Sequence, residues 1–128
     1  AVRFAVRPPF SLFQYCHCSR CQKATGTAHA ANAFLPIDQF RWISGEHSLR
    51  HYSLDEAKYF GTSFCNTCGC NMPIVIEANA MVLVPAGSLE GLSDIQPVQS
   101  IFWGSKAEWY LSPTEIPAFD ELPARSTK

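Results

Sequence analysis

Two short segments hold all six cysteines of this chain. The first reads Cys16-His17-Cys18-Ser19-Arg20-Cys21, the second Cys65-Asn66-Thr67-Cys68-Gly69-Cys70. A disulfide framework spreads its cysteines along a chain. Two knots of thiols instead suit metal ligation, because one tetrahedral ion needs several sulfurs close together. Three disulfides would also satisfy the count, and a low-pKa exposed thiol would make a redox sensor. In the first knot, Cys16 and Cys18 follow a strand-like run, and strand side chains repeat with period 2. Both sulfurs then face one side and His17 the other, so His17 is expected to be a packed or solvent-facing ring rather than a ligand. Ser19-Arg20 makes a turn that returns Cys21 to the same point. One ion can thus collect three thiolates from Cys16, Cys18 and Cys21.

The second knot opens with a C-x2-C pair, Cys65 and Cys68, followed by Gly69. Glycine there supplies the positive φ that lets backbone N–H groups turn toward sulfur. Cys70 could be a third ligand, but burial as a small hydrophobe is the commoner fate of a free cysteine and is the expectation here. Spacing alone allows one structural zinc site from Cys18, Cys21, Cys65 and Cys68, with 43 residues between the pairs. That arrangement predicts a non-catalytic structural or interaction module. It leaves Cys16 unexplained, and its spacer exceeds the roughly 15–20 residues of a zinc ribbon.

Three protein ligands and an open position are the pattern of catalytic rather than structural zinc. Three thiolates on Zn²⁺ leave a formal charge of −1, which weakens it for water activation. Such an ion suits a soft fourth ligand, a substrate thiol, which it would keep deprotonated and nucleophilic. Addition of that thiolate to an aldehyde gives a hemithioacetal, and the reverse step is carbon–sulfur cleavage. Arg20 and Lys23 lie beside the ligands. They could offset the charge or hold substrate carboxylates, or be two solvated charges on a short helix.

The elements that must position these residues are short. Strands are expected at Val2–Val6, Phe10–Tyr15, Ala30–Leu35, Phe40–Ile43, Leu49–Leu54, Lys58–Phe64 and Ile101–Trp103. Ile74–Ile76 and Met81–Val84 read as a hairpin. Turn signals recur about every 8–12 residues, the pattern of a mainly β fold of short antiparallel strands. One helix is expected, from Ser19 to Thr25, ended by Gly26. From Ser112 onward, Pro113, Pro117 and Pro123 make an extended tail. Trp42, Trp103 and Trp109 are expected in the core, and His29, His47 and His51 in structural or surface roles.

The 128 residues amount to one domain. Ten Lys and Arg against eleven Asp and Glu leave a net charge of −1, which argues against nucleic-acid and polybasic membrane contacts. No apolar run approaches a membrane span. Arg3 and Arg7 lead into Pro8-Pro9 rather than a secretory apolar run, so a reducing, cytoplasmic setting is expected.

Several segments resemble one known family in order along the chain. "CHCSRCQKATGTA" (Cys16–Ala28) resembles the first zinc motif of the glutathione-dependent formaldehyde-activating enzyme family, which includes the centromere protein V domain. "FCNTCGC" (Phe64–Cys70) resembles its second motif. "AGSLEG" (Ala86–Gly91), "FWGSKAEWY" (Phe102–Tyr110) and "IPAFDELP" (Ile116–Pro123) resemble its C-terminal segments. The resemblance implies a β-tent fold with two zinc sites. Cys16, Cys18 and Cys21 match the open three-cysteine site, and Cys65 and Cys68 match half of the structural one. The other half, an N-terminal C-x-C, is not in this sequence, so the single domain over 1–128 is expected to be without that segment. The implied activity is that of a carbon–sulfur lyase of the S-(hydroxymethyl)glutathione synthase type, with glutathione as the thiol, formaldehyde as the aldehyde and a homodimer as a possible assembly.

Overall fold

The computed structural model describes residues 1–53, 61–91 and 95–124. It is mainly β, with nine strands and one helix among those residues. The strands are β1 (Arg3–Val6), β2 (Leu12–Cys16), β3 (Ala30–Pro36), β4 (Phe40–Ser44), β5 (Leu49–Ser53), β6 (Gly61–Cys65), β7 (Ile74–Ile76), β8 (Met81–Pro85) and β9 (Gln99–Ile101). Helix α1 is Ser19–Thr25. The expected ends of two strands, Leu54 and residues 58–60, lie outside the described residues.

A five-stranded sheet in the order β7-β8-β3-β2-β9 is flanked by two pairs, β1-β4 and β5-β6. The β7–β8 hairpin is antiparallel, with Ile74 opposite Leu83. One pairing departs from the antiparallel expectation: β9 runs parallel to β2, with Ile101 beside Cys16. This pairing also shifts the last strand. It covers Gln99–Ile101 rather than Ile101–Trp103, because Phe102 adopts a left-handed backbone (φ 54°) that ends the extended run.

Alternation along β3 divides the sheet into two faces. Leu35 meets Val82 and Val84 in the main core, all three fully buried. Phe4, Val6 and Phe40 from the β1–β4 pair, with Phe10 from the segment before β2, pack against that core. A smaller core joins Val2, Cys65 and Met72. The opposite sheet face carries Phe34, Asn32 and Ala30, and it forms the floor of a cavity described below.

Two expectations about the core fail. Trp103 and Trp109 are 49% and 68% exposed, and only Trp42 is partly buried against the small core. Trp103 follows the left-handed turn at Phe102, so strand alternation no longer sets the direction of its side chain. Over residues 112–124 the chain forms no strand, only a short turn at Pro113–Glu115 and bends, and Ile116, Phe119 and Leu122 are exposed.

Candidate metal centre

The first cysteine knot straddles a strand end and a helix start. Strand β2 delivers Cys16, which is buried between β3 and β9. Cys18 is the N-cap of α1, and its Sγ accepts a hydrogen bond from the Cys21 backbone N–H at 3.3 Å. That cap fixes the direction of the helix and brings Cys21, in its first turn, back over Cys16. The Thr25 hydroxyl donates to the Cys21 carbonyl at 2.8 Å. Gly26 then ends the helix at φ 67°, donating its N–H to the Gln22 carbonyl.

The loop is held from a second side. Gln22 Nε2 donates to the carbonyls of His17 (2.7 Å) and Ser105 (3.0 Å). One amide thereby ties the cysteine loop to the turn after β9. Nothing in the local spacing marks Gln22 for this role, since Ser105 is distant in sequence.

The sulfurs of Cys16, Cys18 and Cys21 all lie within 4.8 Å of one another, and Cys21 Sγ donates to Cys16 Sγ at 3.3 Å. Tetrahedral zinc with Zn–S bonds near 2.3 Å sets its sulfurs about 3.8 Å apart, so the cluster fits such an ion with small adjustments. The electrostatics agree. Burial pushes the Cys16 thiol up. Burial and the sulfurs of Cys18 and Cys16 push Cys21 well above the usual thiol range. Cys18 is held below that range, because hydrogen bonds from the Cys21 side chain and backbone outweigh its burial. Of the three thiols, Cys18 therefore gives up its proton most readily. A divalent ion would offset the burial that raises Cys16 and Cys21.

His17 lies outside this cluster. Its ring is fully buried and packs against His29, Trp103 and Tyr110, with centroids 4.9, 5.0 and 5.3 Å away. Burial, with His29 and Lys106 nearby, holds it to the neutral form. Among the described residues neither ring nitrogen has a hydrogen-bond partner. A buried unsatisfied polar group costs about 1–3 kcal/mol. His17→Phe is therefore expected to match or exceed the wild type in stability by up to about 1 kcal/mol. His17→Ala leaves a void among the rings and is expected to lose about 2–3 kcal/mol. Urea denaturation of the two variants checks the opposite signs.

The second knot is arranged differently. Cys65 ends β6 and is fully buried, whereas Cys68 and Cys70 are exposed. The expected burial of Cys70 is therefore incorrect. Gly69 (φ 77°) turns the loop so that its N–H reaches the Cys65 carbonyl at 2.7 Å, and this turn carries Cys70 outward. The Cys65 thiol is lowered to about 7 by N–H groups of Cys68 and Thr67 aimed at its sulfur. The spacing-only arrangement of Cys18, Cys21, Cys65 and Cys68 about one ion is not formed. The one group of three or more metal-capable side chains among the described residues is Cys16, Cys18 and Cys21. All six cysteines are free thiols.

The triad opens into a cavity of about 640 Å³, floored by the free face of the five-stranded sheet. Helix α1 walls one side with Arg20, Ala24 and Thr25, and β6 walls another with Gly61, Thr62 and Ser63. Arg20 is exposed and lines the cavity. Lys23 is exposed on the same helix and does not line it.

A mainly β fold that gathers three thiols at the wall of a cavity defines a candidate metal-binding protein. The sequence profile of the glutathione-dependent formaldehyde-activating enzyme family matches residues 1–105, and the chain belongs to that family. The chain is also similar to a Rhodobacter sphaeroides protein of known crystal structure. The two are 27% identical with a TM-score of 0.56, over 78% of this chain and 92% of the other. No curated protein gives a significant match. No helix among the described residues is long and apolar enough to cross a membrane.

Proposed function

We propose that this chain is a zinc-dependent carbon–sulfur lyase that binds a small thiol and acts on its aldehyde adduct. The observation that carries this reading is the cluster of Cys16, Cys18 and Cys21 sulfurs within 4.8 Å at the wall of an open cavity. The family adds the reaction class, with glutathione as its named thiol and formaldehyde as its aldehyde. When bound, zinc would hold the substrate thiol deprotonated for attack on the aldehyde carbon. The new carbon–sulfur bond forms as the carbonyl oxygen takes a proton, and the reverse step breaks that bond.

The chain's own residues position these partners. Cys18 fixes the start of α1, and Gln22 anchors the loop, so the three sulfurs stay on one side of the sheet. Arg20 offsets negative charge at the cavity mouth or takes one carboxylate of the thiol. Lys23 contributes only at longer range. Cys65 and Cys68 are proposed as ligands of a second, structural ion, for which the buried and readily ionised Cys65 is suited. A reducing compartment such as the cytoplasm keeps the six thiols available.

Chelator treatment tests the reading. Removing the metal is expected to lower thiol-dependent formaldehyde consumption at least about 100-fold, and one equivalent of Zn²⁺ at the triad restores it. Unchanged consumption after verified metal removal overturns the proposal.

A further inference from the structure

The cavity has a chemical gradient along β3 that says which thiol it accepts. Cys16 lies opposite Ala30 at one end of the sheet floor. Gln14, Asn32 and Pro85 form the next row across three strands. Phe34, Leu83 and Ile74 form the row at the far end, aligned on β3, β8 and β7. All of these residues line the cavity. From Ala30 to Phe34, four residues of strand span about 13 Å. The floor therefore passes from sulfur beside Ile101, through a row with two carboxamides, to an aromatic and aliphatic end.

Charge decides between substrates. Among the described residues, Arg20 is the one cationic side chain that lines the cavity, and it sits on α1 at the sulfur end. Glutathione carries a carboxylate at each end. One can meet Arg20, but among the described residues no second cationic side chain lines the cavity to meet the other at the apolar row. A carboxylate removed from water without a partner is penalised strongly. An apolar group placed there gains from burial.

We propose that the substrate is a thiol, or its aldehyde adduct, whose far end is an uncharged apolar group lying on Phe34, Leu83 and Ile74. The assignment rests on the reading of the triad as a thiol-binding zinc site, and it replaces glutathione's charged body with an apolar one. Asn32 and Gln14 lie midway. The Gln14 side-chain oxygen already accepts from Gln99 at 2.7 Å, and among the described residues its amide N–H has no partner, so it can meet a carbonyl or hydroxyl on the ligand.

Calorimetric titration of the zinc-loaded protein with three thiols provides the test: 4-phenylbutane-1-thiol, 2-mercaptoethanol and glutathione. The phenyl thiol is expected to bind at least about tenfold more tightly than either of the others, from burial of its ring. In Phe34→Asp and in Leu83→Asn that preference is expected to fall at least about fivefold. Glutathione binding as tightly as the phenyl thiol overturns the assignment while leaving the thiol site intact. A preference unchanged in both variants also overturns it. Failure of all three thiols to bind removes the thiol site itself, and this assignment with it.

Discussion

Cys18→Ser is expected to reduce zinc affinity at least about 100-fold while leaving the helix in place. Loss of a group that merely supports a ligand costs about 10–100-fold, and Cys18 is one of three ligand candidates. The serine retains the other role of this residue. Cys18 caps α1 by accepting the Cys21 N–H, and a serine hydroxyl is a stronger N-cap than a thiol. Cys18→Ala removes both roles and is expected to lose about a further 1 kcal/mol at the helix start. Zinc titration against a competing chelator, read beside circular dichroism and urea melts, separates the two effects. Wild-type zinc affinity in the serine variant would remove the three-cysteine centre from consideration. Helix loss in that variant would show that the cap depends on sulfur.

The second large effect is on stability. Leu35→Ala is expected to cost about 2–5 kcal/mol, since the side chain is fully buried on the central strand and little can collapse into the void. A domain of this size holds about 5–15 kcal/mol in all, so the loss is a large share. Leu35 sits opposite Val82 on the core face, whereas its neighbour Phe34 points to the cavity floor. The variant should therefore shift the urea midpoint strongly while the folded fraction still takes up zinc at saturation. Trp109→Ala, at a side chain 68% exposed, is expected to change stability by no more than about 0.5 kcal/mol. If Trp109→Ala proved as costly as Leu35→Ala, the assignment of the core would be wrong.

Much of the architecture is legible locally. The helix Ser19–Thr25 and its left-handed stop at Gly26 are properties of a few adjacent residues, whereas the cap by Cys18 is seen only in the structure. The Ile74–Ile76 and Met81–Pro85 strands follow from β-branched runs around a short turn. That His17 faces away from the sulfurs follows from period-2 alternation beside Cys16, whereas its packing against Trp103 and Tyr110 is tertiary. Other features depend on contacts that no window of sequence contains. The last strand is placed by its parallel pairing with Gln14–Cys16, so its register could not be read from residues 99–103 alone. The exposure of Trp103 follows from that pairing and the left-handed Phe102, not from aromatic content.

The six cysteines show the same division. Their spacing by itself determines that three thiols can converge within Cys16–Cys21, because strand alternation and one helical turn are local geometry. Spacing does not determine whether the second knot joins them. The tertiary structure separates the two, burying Cys65 against Val2 and Met72 while turning Cys68 and Cys70 to solvent. It also decides what lies beyond the triad. The row of Phe34, Leu83 and Ile74 comes from three strands aligned by backbone hydrogen bonds, and only that alignment places an apolar row about 13 Å along the floor from the sulfur end. Ligand chemistry is thus written in neighbouring residues, whereas the shape and polarity of what the ligands face depend on long-range pairing.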